Sequence, residues 1–91
     1  MRLTFTPKGW THYQHWQQSD REMLAKLNRL LKECLRHPYE GTGQPEALKN
    51  DYSGWWSRRI DQEHRLIYRV TGEGDAQALE VAQARYHCDS R

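Results

Sequence analysis

The 91-residue chain has few cysteines and no long apolar run. Its two cysteines, Cys34 and Cys88, lie far apart and form neither a CxxC motif nor a metal-ligand spacing with histidine, so neither a disulfide scaffold nor a zinc site is predicted. No stretch approaches the roughly 20 apolar residues of a membrane span, and the start lacks the apolar core of a signal peptide. These absences favour a soluble cytoplasmic protein without metal, cofactor or membrane contact.

Internal repeats, low-complexity tracts and interdomain linkers are also absent from the sequence. A chain this short has room for one domain, so residues 1–91 are expected to share a single small core. Hydrophobic content is only 36%, but the four Trp and five Tyr make the chain rich in large rings that can fill such a core. The net charge of +2 is by itself a weak argument for a nucleic-acid partner.

Two amphipathic helices are predicted in the first half of the chain. Thr6 is a suitable N-cap for the first helix, and Pro7 suits its first position. Ser19 and Glu22 have the spacing of a capping box, so the second helix is expected to start at Ser19 and to end before Pro38. The apolar stripes assigned to the core are Trp10, Tyr13 and Trp16 in the first helix, and Met23, Leu24, Leu27, Leu30, Leu31, Cys34 and Leu35 in the second.

Four strands are predicted, at residues 3–5 and at about 55–61, 65–71 and 77–86. The resulting order is β-α-α-β-β-β, an α+β domain in which two N-terminal helices pack on one face of a small, mostly antiparallel sheet. The opposite sheet face is expected to be open.

Alternation in the strand at 65–71 puts Leu66 and Tyr68 on the helix face and Arg65 on the open face. The same rule in the last strand puts Arg85 and His87 beside Arg65, unless a bulge intervenes. Guanidinium groups on an open face suit phosphate oxygens, which favours a phosphate-bearing partner.

In combination, several segments resemble the YoeB family of bacterial toxins, within the wider RelE superfamily. The matching segments are residues 16–17 (WQ), 38–49 (PYEGTGQPEALK), 53–60 (SGWWSRRI), 63–68 (EHRLIY) and 85–87 (RYH). The resemblance runs from the first strand to His87.

This resemblance implies a RelE-like fold and the toxin of a type II toxin–antitoxin pair, which enters the ribosomal A site and cuts the mRNA there. It also implies three further partners or states: a cognate antitoxin of the Phd/YefM type, operator DNA bound through the antitoxin complex, and a homodimer.

Cleavage of RNA without a metal needs a base for the 2′-hydroxyl, a cation for the transition state and an acid for the departing 5′-oxygen. Glu46, Arg65 and His87 match the family's residues for these three roles. The supporting phosphate contacts that we predict are Lys49, Arg58, Arg59 and Arg85. Because Arg58 and Arg59 are neighbours in a strand, at most one of them should line the cleavage site.

The chain departs from the family at its end, where family members commonly carry a tyrosine after the catalytic histidine and this chain has Cys88. Tyr86 should face the helices and cannot replace that ring. We therefore expect weaker positioning of the substrate, with a loss on the order of 1–3 kcal/mol, which Cys88→Tyr should restore in an mRNA cleavage assay.

Two other functions remain open. One is a non-catalytic module with a toxin fold, either a target blocker of the ParE kind or a protein that only binds antitoxin and operator DNA. The other is a general RNase that needs no ribosome. ParE-type relatives lack the Glu/Arg/His set, so Glu46 and His87 discriminate the first alternative, and cleavage of naked RNA discriminates the second.

Overall fold

A computed structural model describes residues 1–87 of the chain. The helices are α1 (Pro7–Ser19) and α2 (Arg21–Arg36), and the strands are β1 (Arg2–Phe5), β2 (Glu46–Ala47), β3 (Trp56–Arg59), β4 (Arg65–Thr71) and β5 (Ala78–Gln83). Short 3-10 turns at Asn50–Tyr52 and Gly74–Ala76 precede β3 and β5. Within the described range, neither helix combines the length and the apolar character that crossing a membrane requires.

The five strands form one mixed sheet in the order β1-β5-β4-β3-β2. Only the β1–β5 pair is parallel, and the other three pairs are antiparallel. The predicted α+β architecture is therefore confirmed. The sequence had suggested four strands, and the fifth is β2, which pairs with β3 at the sheet edge. A two-residue strand is too short to have a period, so sequence alternation does not reveal it.

Both helix starts are capped by side chains, but the second cap differs from the prediction. Thr6 Oγ1 accepts from the Gly9 N–H at 3.1 Å, as predicted for α1. For α2 the N-cap is Asp20, whose Oδ1 accepts from the N–H groups of Glu22 and Met23 at 3.1 Å each. Ser19 is still in α1 and donates to the carbonyl of His15, so the expected Ser19 cap is wrong by one residue.

The core lies between the helices and one face of the sheet. Its buried side chains are Trp16, Met23, Leu27, Leu30, Leu31, Cys34, Ile60, Leu66, Tyr68, Leu79, Val81 and Ala84. Burial raises the pKa of the Cys34 thiol to about 11, as befits a core filler. Trp16 also donates from Nε1 to the Ala84 carbonyl at 2.8 Å. The assignment of Trp10 to the core is wrong, because this ring is 45% exposed and stacks on Tyr13 at the surface.

A β-bulge in β5 changes which residues face the helices. Ile67 pairs with Gln83 and Tyr68 pairs with Val81, so Ala82 is an extra residue between the two pairs. Gln83 consequently shares the face of Ile67, away from the helices. The strand ends there, and the prediction that it continues to residue 86 is wrong.

Candidate active site

Four residues form a row across the sheet face that is turned away from the helices. Glu46 on β2 pairs with Ser57 on β3, Ser57 pairs with Ile67 on β4, and Ile67 pairs with Gln83 on β5. Paired residues in an antiparallel ladder project from the same face, so these four side chains share it. The positions of the candidate catalytic residues are described below relative to this row.

Arg65 lies two residues before Ile67 and therefore projects from the same face. Its Nη1 donates to Ser57 Oγ at 3.2 Å, so the half-buried guanidinium reaches from β4 onto β3. Ser57 is the direct ladder partner of Glu46, which is exposed at the sheet edge. The fold thus brings Glu46 and Arg65 to opposite sides of one buried serine.

The third candidate, His87, is held near the same row by Gln83. The Gln83 side-chain amide donates from Nε2 to the carbonyls of Arg85 and His87, each at 2.8 Å. The Arg65 N–H also donates to the Tyr86 carbonyl at 3.0 Å, which ties this segment to the start of β4. His87 itself is exposed. The backbone of His87 is therefore anchored to the face that carries Arg65 and Glu46.

This sheet face is less open than the sequence predicts. Ser57, Ile67 and Gln83 are 0%, 1% and 5% exposed, because Arg65 lies across Ser57 and the turn after β5 is bound to Gln83. The exposed groups stand around this covered centre. A substrate would contact its rim, where Glu46, Arg59 and His87 are accessible.

Arg58 is not available as the phosphate contact that was predicted. Its guanidinium is fully buried under α2, where Nε donates to Tyr68 Oη at 3.0 Å and Nη1 donates to Glu33 Oε1 and to the Thr42 carbonyl, both at 3.1 Å. Nη2 donates to the carbonyls of His37 and Glu40. All three guanidinium nitrogens are thus engaged within the protein, so a phosphate would have to break these bonds.

The bonds of Arg58 anchor the loop that leads to Glu46. The Thr42 N–H donates to Glu33 Oε1 at 2.5 Å, and this bond, together with Arg58, holds the pKa of Glu33 below its usual range. Tyr68 accepts from Arg58 and donates to the Pro38 carbonyl at 2.6 Å, and burial raises its pKa to about 12. Residues 37–42 are therefore fastened to the core just before the strand that carries Glu46.

The other predicted phosphate contacts differ in their surroundings. Arg59 is exposed, pairs with Arg65 in the ladder and lies on the same face as Arg65. Lys49 is exposed beside the short turn that follows β2. Arg85 does not follow the predicted alternation, because the strand has already ended. Its guanidinium stacks on the Tyr86 ring at 4.5 Å, and within the described residues its buried Nε has no hydrogen-bond partner.

Two residues of the site were not singled out from the sequence. Ser57 could have been found by alternation, since it lies between Trp56 and Arg58 and must face away from the helices. The same alternation puts Gln83 on this face with Arg85, but it does not reveal the bonds that Gln83 makes to the carbonyls of Arg85 and His87. Tyr86 lies against His12 with ring centroids 5.7 Å apart, so its predicted orientation toward the helices is confirmed. Cys88 and the substitution proposed for it lie outside the described residues.

Solved structures with this fold and high sequence identity are bacterial toxins. A YoeB/ParE toxin from Agrobacterium tumefaciens is 48% identical with a TM-score of 0.92, over 97% of this chain and all of that one. The YoeB dimer from Staphylococcus aureus is 39% identical and its heterotetrameric YoeB–YefM complex is 40% identical, each with a TM-score of 0.83 over 97% of this chain and 98% of that one. The fold, at these identities, thus defines a toxin of a toxin–antitoxin system.

Sequence comparison assigns the family. The family model described as the YoeB-like toxin of bacterial type II toxin–antitoxin systems matches residues 5–88. Toxin YoeB from Streptomyces coelicolor is 51% identical over 87 residues, which cover 96% of this chain and 99% of that protein. The chain belongs to the family of YoeB-like toxins, and the resemblance predicted from the sequence is confirmed.

Proposed function

We propose that this toxin is a ribosome-dependent endonuclease that cuts mRNA in the ribosomal A site and so inhibits translation. The observation that carries the proposal is that Arg65 donates to Ser57, which is the ladder partner of Glu46. The bond from the Gln83 amide to the His87 carbonyl supports it. These contacts support the proposal because Glu46 and Arg65 project from one face and the backbone of His87 is bound beside them.

The proposed reaction is an internal transfer of the phosphate followed by departure of the 5′-oxygen. Glu46 accepts the proton of the 2′-hydroxyl, and the resulting oxygen attacks the adjacent phosphorus. Arg65 stabilises the charge that develops on the non-bridging oxygens. The bond to the 5′-oxygen breaks, and His87 donates the proton that this oxygen needs. The products are a 2′,3′-cyclic phosphate and a 5′-hydroxyl.

The surrounding charges supply the expected contacts with the RNA backbone. Arg59 and Lys49 are exposed near the rim and can bind phosphates of the mRNA or of ribosomal RNA. Arg85 is retained as a contact because its side chain is only partly buried. Arg58 is excluded because its donors are already bound.

The proposed partners follow from relatives. The Staphylococcus aureus relative is found as a dimer and in a heterotetrameric complex with YefM. We accordingly propose that this chain binds a cognate YefM-type antitoxin in the cytoplasm, contacts operator DNA through that complex and forms a homodimer.

Primer extension on ribosome-bound mRNA tests the nuclease. Glu46→Ala, Arg65→Ala and His87→Ala should each slow cleavage about 10²-fold or more, since each removes one of the acid, base or electrostatic functions. The controls Glu73→Ala, Arg21→Ala and His37→Ala remove the same residue types at exposed positions remote from the row and should cut like the parent. All variants should bind the antitoxin.

Three outcomes would count against the proposal. Equal cleavage by the parent and the three variants would remove the catalytic assignment. Cleavage of naked RNA at the same rate as ribosome-bound mRNA would indicate a general RNase that needs no ribosome. Growth arrest without any RNA cleavage would favour the non-catalytic module of the ParE kind.

A further inference from the structure

The backbone that carries His87 leaves β5 through an unfavourable conformation. Tyr86 has a φ of +69°, in the left-handed region that a residue with a bulky side chain rarely adopts. Such a conformation persists only where surrounding contacts hold it. The contacts made by residues 84–86 therefore decide where His87 lies.

A buried histidine of α1 holds the first of these residues. His12 Nδ1 accepts from the Ala84 N–H at 3.1 Å, and the His12 side chain is buried. The neighbouring Trp16 on α1 donates to the carbonyl of the same residue. Both polar backbone groups of Ala84 are thus satisfied by α1 after the strand pairing has ended.

A second histidine, in the loop between β3 and β4, holds the strained residue directly. His64 Nδ1 accepts from the Tyr86 N–H at 2.8 Å. The backbone of His64 is fixed in turn, because its N–H donates to Asp61 Oδ1 at 2.7 Å. Its ring packs edge-on against Trp16, with centroids 4.9 Å apart. His64 also directly precedes Arg65, so the same loop lies next to Arg65 in sequence and holds the residue that precedes His87.

Both histidines can act only as neutral rings with the proton on Nε2, because a protonated Nδ1 has no lone pair for the backbone N–H. The groups around His12 favour the neutral form: burial first, and then Lys8 and His15 on α1, Arg85 beside Tyr86, and His64 together lower the pKa of His12 to about 4. Two carboxylates lie near His64: that of Asp61, and that of Glu63, which is 3.9 Å from His64 Nε2.

We propose that His12 and His64 are positioning residues of the nuclease, which hold the backbone of Ala84 and Tyr86 so that His87 meets Arg65 and Glu46 on one sheet face. This inference rests on the proposed function for the role of His87. It assigns no chemical step to either histidine.

Single-turnover cleavage of ribosome-bound mRNA tests the positioning role. His12→Leu and His64→Leu remove the acceptor and should lower the maximal rate about 10- to 100-fold, because displacement of a catalytic group by about 1 Å has effects of this size. The toxin concentration for half-maximal rate should stay within about threefold, since the exposed phosphate contacts Arg59 and Lys49 are unchanged.

Conservative variants provide the rescue. His12→Asn and His64→Asn put an amide oxygen where Nδ1 stood, so they should cut within about threefold of the parent. His37→Leu is the matched control: the His37 ring is exposed after α2 and lies 3.9 Å from the Glu40 carboxylate, so its rate should equal the parent's. Should a Leu variant fail to fold, the Gln variant replaces it, because its oxygen lies near the Nε2 position and is expected to leave the N–H without its acceptor.

Amide hydrogen exchange of the free toxin separates this inference from the nuclease proposal. The Leu variants should lose protection at the Ala84 and Tyr86 amides while keeping it at Val81, and the Asn variants should retain it at all three. A parent that cuts no mRNA would overturn the proposed function and leave the anchoring to be decided by exchange alone. Full cleavage rates in the Leu variants, or unchanged protection at both amides, would overturn the positioning role.

Discussion

Arg58 and Arg59 are adjacent residues of the same type with opposite roles. Alternation puts them on opposite faces, as predicted, and the ladder pairs Arg58 with Leu66 and Arg59 with Arg65. The face under α2 then gives Arg58 acceptors for all its nitrogens, while Arg59 stays exposed. Residue type and spacing indicate that one arginine faces the core, but the acceptors that make this possible come from a loop and a helix remote in sequence.

We predict that Arg58→Met lowers the free energy of unfolding by about 3 kcal/mol or more, because it leaves three loop carbonyls without their donor and removes one of the two donors to Glu33. Arg58→Lys should also destabilise, since an ammonium cannot reproduce the planar fork. Urea denaturation at neutral pH measures both.

Arg59→Met is the control for this series and should change stability by less than about 0.5 kcal/mol. Equal effects at the two positions would contradict the structural role given to Arg58.

At the scale of elements, the boundary between the two helices is decided by a single residue. The sequence contains a capping-box pattern from Ser19 to Glu22, yet the chain becomes extended one residue later, at Asp20, with a φ of −156°. Helix start rules permit either residue, and the carboxylate of Asp20 satisfies two N–H groups at once. Helix existence was predicted well, and the exact cap was not, because both residues are good caps.

We predict that Asp20→Ala lowers the free energy of unfolding by about 0.5–2 kcal/mol, through loss of the cap of α2. Ser19→Ala should cost less than about 0.5 kcal/mol, since its hydroxyl bonds only groups on the exposed side of α1. Thermal unfolding followed by circular dichroism compares the two. A larger loss for Ser19→Ala than for Asp20→Ala would indicate that Ser19 is the N-cap of α2, as the capping-box pattern predicts.

At the scale of the whole molecule, α1 is joined to the end of β5 by a bond between residues 72 positions apart in sequence, from the Ala84 N–H to His12. This bond requires a neutral ring, so it links the stability of the fold to pH. Burial of His12 follows from the docking of α1 on the sheet, and the sequence alone does not reveal it.

We predict that the free energy of unfolding decreases as the pH is lowered from about 6.5 to 4. The pKa of His12 is about 4 in the folded chain and 6.5 in the unfolded one, so the unfolded chain binds more protons in this window. The contribution of His12 is complete above pH 6.5 and is lost as the pH falls toward 4, by about 2–3 kcal/mol at most. The lowered pKa values of Glu33 and Asp61 add further losses at lower pH.

His12→Asn keeps an acceptor but cannot titrate. Denaturant unfolding at pH 7 and pH 5 should therefore give a smaller difference for His12→Asn than for the parent. An unchanged difference would mean that His12 does not contribute this slope.

Much of the fold follows from the sequence, and less of the site does. The period of 3.6 identified both helices, the period of 2 identified the later strands, and the bounds of β4 were predicted as observed. The candidates Glu46, Arg65 and His87 came from a resemblance, and their catalytic roles stay predictions. What the sequence did not reveal was β2 and the bulge at Ala82, because each depends on pairing between distant segments. Alternation gives the face of Ser57 and Gln83 but not the hydrogen bonds that they make.

The sequence by itself determined the family, the order of the helices and the later strands, and the faces of β3 and β4, because these depend on local periodicity and on matched segments. Only the tertiary structure decided that Arg58 is internal and that residues 84–87 turn toward Arg65. The physical reason is that a buried guanidinium or a left-handed backbone needs acceptors supplied from elsewhere in the chain, and such acceptors are identified only when the distant segments are brought into contact.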